Sequence, residues 1–293
     1  MKIPIFTDEV AQNGGWHGAQ LKQAFFARGV EALFVSLQDC VIDLSAEKPR
    51  IQMPHFNDLP SAAFVRGIAG GSLQQITTRL NVLHMLKMLG VAVYNEGKAI
   101  ERTVDKAMTS FLLHNNGINT PKTWVCESRK HAHAIIEAQQ KLVIKPLFGS
   151  QGQGVRLVEK NVKKNTEKLP LPGDQFVDGV FYLQQFIPAT HDFRVFVVNN
   201  KAIAAMQRTG DTWLHNVAQG AKCVKIEQAD VLDLAINAAI TLDIAYCGVD
   251  LIRDENGELA VLEVNSIPAW RGLQSVTETN IAQVLVDDFL SQI

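Results

Sequence analysis

The sequence predicts an α/β chain built from more than one domain. Apolar strand-like runs alternate with helical patterns through residues 1–95, as in a small parallel α/β unit. The length of 293 residues leaves room for two or three such units. Near the C-terminus two apolar runs flank Asn256-Gly257, and polar side chains stand where packing favours Val or Leu.

Composition narrows the function classes. The chain is 47% hydrophobic and 20% charged with a formal net charge of −2, so nothing in it calls for nucleic acid or an anionic membrane as partner. No apolar run reaches transmembrane length, and Met1–Val10 does not read as a secretory signal. Cys40, Cys126, Cys223 and Cys247 are scattered with no C-x-x-C spacing, which fits idle thiols in a reducing cytoplasm.

Each element has a local reason. Lys2–Phe6 is a short strand, Gly18–Arg28 an amphipathic helix closed by Gly29, and Glu31–Ser36 a second strand. Ala62–Val65 is apolar and runs into Arg66-Gly67-Ile68-Ala69-Gly70-Gly71, a loop free enough to approach an anion, although a plain turn also accounts for it. Ile76, Leu80, Leu83 and Leu89 mark a helix ending at Gly90, and Val91–Tyr94 is the next strand. Asn95–Arg102 reads as a crossing into a second unit. There Thr103 is the expected N-cap of a helix over Val104–Asn116, with Gly117 as its C′ residue. Lys106 falls in the first turn, where a cation opposes the helix dipole, and pairing with Asp105 or Glu101 would explain it.

Thr123–Cys126 is a strand, Ser128–Gln140 a helix and Leu142–Lys145 a strand. Gly149-Ser150-Gln151-Gly152-Gln153-Gly154 then leads into Val155–Glu159. A glycine loop between two strands is neither a Rossmann fingerprint nor a Walker A loop, since both need a following helix, but its amides can meet phosphates. Lys145 stands just before it. Asn161–Asp174 is polar and reads as a surface loop, and Val180–Ile187 is a buried strand stopped by Pro188. His191–Val198 alternates, with Asp192, Arg194 and Phe196 on one side, and Lys201–Arg208 follows. Gly210–Ala221 is a loop carrying Trp213, His215 and Asn216. Ala229–Leu242 and Thr279–Ser291 are helices.

The Asn-Gly hairpin carries the chemistry. A two-residue turn there sets Asp250 directly opposite Glu263 and Gly248 opposite Asn265, all on one face. The other face then reads Val249, Leu251, Leu262 and Val264. Two carboxylates and a carboxamide suit a hard divalent cation such as Mg²⁺, although a solvated hairpin face is the plainer alternative.

Five separated motifs resemble the ATP-grasp superfamily, and within it the RimK-type ligases that attach glutamate. They are Asp105-Lys106 through Pro121; Val143-Ile144-Lys145-Pro146 through Gly154-Val155; Asp192-Phe193-Arg194-Val195; Gly248-Val249-Asp250-Leu251; and Leu262-Glu263-Val264-Asn265-Ser266-Ile267-Pro268. Val65–Gly71 and Trp270-Arg271-Gly272 are similar to the subgroup of tetrahydromethanopterin or methylofuran biosynthesis. The resemblance implies an ATP-grasp fold of two α+β subdomains, at 96–186 and 187–293, after an N-terminal α/β domain at 1–95.

It also implies roles. Lys106 and Lys145 match nucleotide-phosphate lysines, and Gly149, Ser150, Gln151, Gly152 and Gly154 match the phosphate flap. Gln184, Gln185, Phe186 and Ile187 match the adenine hinge. Asp250, Glu263 and Asn265 match ligands of Mg²⁺, two ions or Mn²⁺ in their place. Asp192, Arg194, Arg208 and Asn216 match positions near ribose, acyl phosphate or substrate. Leu214 and His215 depart from the ribosomal-protein type, which carries a basic residue before Asn216, and Ala269 stands where Gly is common. The implied reaction is ATP-dependent, ADP-forming ligation of L-glutamate to a small-molecule carboxylate through an acyl phosphate, by a cytoplasmic homo-oligomer. Other ATP-grasp ligations and a non-catalytic nucleotide-binding module remain alternatives.

Overall fold

The computed structural model describes residues 1–8, 15–149, 154–159, 178–210, 212–213 and 220–293. The reading of Asn161–Asp174 as a surface loop lies outside them.

The N-terminal unit is a parallel sheet in the order β2-β1-β5-β6, formed by β1 (Lys2–Thr7), β2 (Glu31–Ser36), β5 (Ala62–Val65) and β6 (Ala92–Tyr94). A small antiparallel pair, β3 (Val41–Asp43) with β4 (Arg50–Gln52), interrupts the alternation. Helix α1 (Gly15–Phe26) covers one face and α2 (Leu73–Met88) the other, so the strands are apolar on both sides, as parallel sheets require. Ser72 and Gln75 form a capping box at the start of α2.

The stretch Asn95–Arg102, read above as a crossing, is largely helical. Helix α3 (Gly97–Val104) ends at Asp105, and α4 (Lys106–Asn115) begins there. Thr103 is therefore not an N-cap: it lies inside α3, where its hydroxyl donates to the carbonyls of Ala99 and Ile100. Asp105 takes the cap, its carboxylate accepting the amides of Ala107 and Met108. Gly117, at φ +75°, is the residue after the C-cap, as expected.

An antiparallel sheet follows in the order β7-β10-β8-β9, from β7 (Thr123–Cys126), β8 (Lys141–Lys145), β9 (Arg156–Glu159) and β10 (Phe181–Gln185), backed by α5 (Arg129–Ala138). The last sheet runs β13-β12-β11-β14-β15, from β11 (Asp192–Val198), β12 (Lys201–Thr209), β13 (Lys222–Lys225), β14 (Tyr246–Arg253) and β15 (Leu259–Asn265). Phe193, Val195, Val197, Val249 and Leu251 bury one face under α6 (Ala229–Leu242) and α4. The other face is divided. Phe196, Val198, Met206 and Tyr246 join the core made with the N-terminal sheet, α1 and the last helix α7 (Ile281–Leu290), whereas Asp192, Arg194, Arg208 and Asp250 hold the far end. None of the described helices is long and apolar enough to cross a membrane.

The hairpin corrects the two-residue turn. The amide of Asp254 donates to the carbonyl of Glu258, so the loop is Glu255-Asn256-Gly257, with only Gly257 at positive φ (+87°). Asp254 favours it by accepting the amides of Asn256 and Glu258 on its side chain. That extra residue shifts the register by one, and a bulge between the pairs Leu251–Val261 and Asp250–Glu263 shifts it back. Leu262, the bulge residue, is thus not on the core face, and Val261 packs there instead.

Candidate active site

Bulge and turn together leave Asp250 paired with Glu263 and Gly248 with Asn265, the juxtaposition expected from the sequence. Arg194, opposite Asp250 on β11, donates from Nη2 to its Oδ2 at 2.8 Å and brings Nε to 2.5 Å from Oδ1. Arg208 holds Asp192 through two bonds, Nε to Oδ1 at 2.7 Å and Nη2 to Oδ2 at 2.8 Å. Its Nη2 also reaches Asp250 Oδ1 at 3.0 Å. Burial works against the Arg208 charge, but Asp250 and Asp192 outweigh it and hold the pKa above the ordinary guanidinium value. Asp192 is thereby engaged by Arg208 within the protein.

Gly248 allows this network to close. A Cβ there would lie 2.5 Å from Arg194 Nη1 and 2.9 Å from Pro268 Cβ, so the arginine crosses β14 only over a bare backbone. A glycine inside a strand pattern is the signal that marks such an approach.

The lysines converge from the other side. Lys106 Nζ donates to the carbonyl of Gly149 at 2.8 Å and to that of Leu147 at 3.4 Å, rather than to Asp105 or Glu101. Lys145 Nζ donates to Gln184 Oε1 at 2.6 Å. Gln184 is buried and in turn donates to Tyr182 Oη and Thr123 Oγ1, while Tyr182 bonds Ser110. Tyr182, Thr123 and Ser110 did not stand out in the sequence, because single hydroxyls in apolar runs carry no spacing signal. Burial lowers the Lys145 pKa, Lys106 adds to this, and Glu263 and Asp250 oppose it. Lys106, Ser110, Tyr182, Leu262 and Glu263 line one crevice.

Among the hinge residues, Gln185 N–H donates to the Lys122 carbonyl and Phe186 N–H to that of Lys141, whose ammonium lies over the Phe186 ring; Ile187 follows directly. Gly154 has φ +73°. Ser150, Gln151, Gly152 and Asn216 lie outside the described residues.

The donor set fits a hard cation. Asp250, Glu263 and Asn265 offer oxygen only, and Glu263 and Asn265 have no hydrogen-bond or ion-pair partner among the described residues. Those residues contain no cluster of three His, Cys, Asp or Glu side chains, so a hard-ion site here depends on the asparagine.

A parallel N-terminal sheet, a second sheet with a lysine on its central strands, and a third sheet bearing paired carboxylates are the architecture of an ATP-grasp ligase. The chain belongs to the RimK-like ATP-grasp family, whose domain matches residues 103–289. It is 36% identical over 244 residues to a tetrahydromethanopterin:α-L-glutamate ligase of Methanocaldococcus jannaschii, covering 81% of this chain and 82% of that one. It is 32% identical over 276 residues to a probable α-L-glutamate ligase of Vibrio vulnificus, covering 92% and 89%. The fold superposes on the ATP-grasp ligase PsnB, solved with a minimal precursor, Mg and ADP, with TM-score 0.71, 20% identity and coverage of 99% and 97%.

Proposed function

We propose that this enzyme joins the amino group of L-glutamate to a carboxylate of a small-molecule acceptor, forming ADP and phosphate. The relatives named above are a tetrahydromethanopterin:α-L-glutamate ligase and a probable α-L-glutamate ligase. A pterin or furan one-carbon cofactor precursor is therefore the acceptor class we favour. The observation that carries the nucleotide chemistry is Asp250 opposite Glu263, with Asn265 beside them and Lys145 within their field.

Nucleotide lies between the β7–β10 sheet and the β11–β15 sheet, in our reading of 96–186 and 187–293 as the two grasping subdomains. Lys106 and Lys145 bind its phosphates, with Gln184 aiming Lys145, and the backbone of Gln185–Ile187 meets the base. Gly149–Gly154 covers the phosphates and excludes water from the acyl phosphate. Asp250, Glu263 and Asn265 would hold Mg²⁺, as two ions, which supplies charge neutralisation for the transferring phosphoryl group. PsnB, of the same fold, binds Mg and ADP.

An acceptor carboxylate oxygen attacks the γ-phosphorus, and the bond to the ADP oxygen breaks. The glutamate nitrogen then attacks the acyl carbon, forming the amide and expelling phosphate. Arg194 and Arg208 steady carboxylate or phosphate oxygens through planar paired bonds, Asp192 keeps Arg208 in position, and Asn216 contacts substrate. A reducing cytoplasm suits the free cysteines. The test is mass spectrometry of a cell-extract reaction with ATP, Mg²⁺ and labelled glutamate. A product heavier by one or more glutamyl units, absent with Glu263→Gln, is expected. No glutamylated product together with undiminished ADP release by Glu263→Gln would overturn the reading.

A further inference from the structure

The chemistry above leaves one end of the N-terminal sheet unused. Neighbouring parallel strands whose crossovers leave in opposite directions open a crevice beyond their carboxyl ends, where open α/β sheets bind ligands. β1 and β5 are such a pair: β1 leads through α1 to β2 on one side, and β5 through α2 to β6 on the other. Arg66 and Gly67 follow β5 directly, both amides donating to the Phe6 carbonyl, at 2.8 and 3.0 Å. A Cβ at Gly67 would come within 3.1 Å of the Asp8 amide, so the two strand ends meet closely here. The segment after the metal-site strand crosses over this point. The Arg66 guanidinium lies 5.2 Å from the centre of the Trp270 ring, which packs edge-on against His17 with centroids 4.5 Å apart.

Two buried N–H groups at this point have no hydrogen-bond partner among the described residues, and a neighbouring imidazole carries a third donor. Arg66 Nε and Trp270 Nε1 are buried without a hydrogen-bond partner. The Trp270 amide donates to His17 Nε2 at 3.1 Å, so the neutral imidazole carries its proton on Nδ1. Burial, with Arg66 and Arg271 adding, keeps that ring neutral by pushing its pKa down to about 4. Burial works against the Arg66 charge and lowers its pKa; Tyr246 and Asp8 favour the charge through space, but neither bonds its Nε. Buried donors are nearly always satisfied in folded proteins, and here every missing partner is an acceptor beside a cation.

This end of the sheet adjoins the reacting centre. Trp270 packs edge-on against Phe196, which pairs with Gly248. Tyr246, whose hydroxyl donates to the Val65 carbonyl, precedes Asp250 by four residues on β14, on the order of 13 Å at the rise of a strand. That offset along β14 sets an anion at Arg66 apart from the Asp250 end of the strand. We infer that Arg66, His17 and Trp270 bind a second oxyanion of the acceptor, carboxylate or phosphate, and so set which acceptor is used. Calling the ligand an acceptor rests on the ligase reading; the anion site itself does not.

The test titrates glutarate and, separately, inorganic phosphate into the full chain saturated with MgADP, so that the lysine site is filled, and follows calorimetric heat and tryptophan fluorescence. Saturable binding is expected, weakened about tenfold or more by Arg66→Met. Trp270→Phe keeps the ring, removes one orphan donor and should weaken binding severalfold, which covers the case of Arg66→Met failing to fold. Preference for glutarate or for phosphate assigns the group. Absence of binding, or equal binding by both variants and wild type, overturns the proposal. Failure to bind MgADP would instead strike the ligase reading.

Discussion

Asp250 and Glu263 face each other across β14 and β15, yet among the described residues only Asp250 is hydrogen-bonded by guanidinium groups. Arg194 and Arg208 take both of its oxygens, while Glu263 has no hydrogen-bond or ion-pair partner among the described residues. The two substitutions should therefore separate. Glu263→Gln should abolish Mg²⁺-dependent ADP release yet change stability by no more than about 1 kcal/mol, since relief from the opposed Asp250 is offset by the lost attraction for Lys145. Asp250→Asn should also silence ADP release but lower stability by about 3 kcal/mol, because Arg194 loses its counter-charge and Arg208 keeps only Asp192. Urea unfolding beside an ADP-release assay checks both, and equal stability losses would contradict the assignment.

Gly248 is expected to tolerate no side chain. In Gly248→Ala the new methyl must displace Arg194 or Pro268, costing about 1–3 kcal/mol of stability. Displacement of the arginine should cost about 100-fold in turnover. A crystal structure of the variant with Arg194 undisturbed and full activity would refute this.

Gln184 is expected to act through Lys145. Gln184→Met keeps the volume but removes the 2.6 Å acceptor from the ammonium. Bonds to charged groups contribute about 1.5–3 kcal/mol, so the KM for ATP should rise by at least about tenfold, with a smaller change in kcat. Steady-state kinetics at varied ATP reads the two apart. A fall in kcat alone would leave Lys145 without this role.

His17 makes stability depend on pH. Its folded pKa lies near 4, against an ordinary value of 6.5, because of burial and the charges of Arg66 and Arg271. Between those values the unfolded chain binds the extra proton, so stability is whole above pH 6.5 and falls as pH drops toward 4. The side chain is partly exposed, so after allowance for solvent screening the loss is about 1–2 kcal/mol. His17→Gln should flatten this part of the pH profile in urea unfolding at pH 7.5 and 5, and an unchanged slope would rule His17 out.

Much of the site was legible in the residues. A carboxylate pair at opposed strand positions, a lysine before a glycine loop, and Asp-x-Arg on an alternating strand are local patterns, readable because side-chain direction follows from periods of two and 3.6. The turn was not read correctly. Asn-Gly pointed to a two-residue loop, but Asp254 captures two amides of a three-residue one, and the bulge at Leu262 cancels the shift. The expected pairing survived through compensation. Likewise Thr103 is the expected cap, but the backbone breaks two residues later and Asp105 takes that place.

The sequence alone determined which residues bear charge, which runs are strands, and that Asp250 and Glu263 share a face. Only the folded chain decided that Arg194 passes over Gly248 to reach Asp250, that Gln184 turns to Lys145, and that Trp270 lies beneath Arg66. Those contacts join residues far apart along the chain, and their geometry depends on how three sheets pack, which local periodicity does not encode.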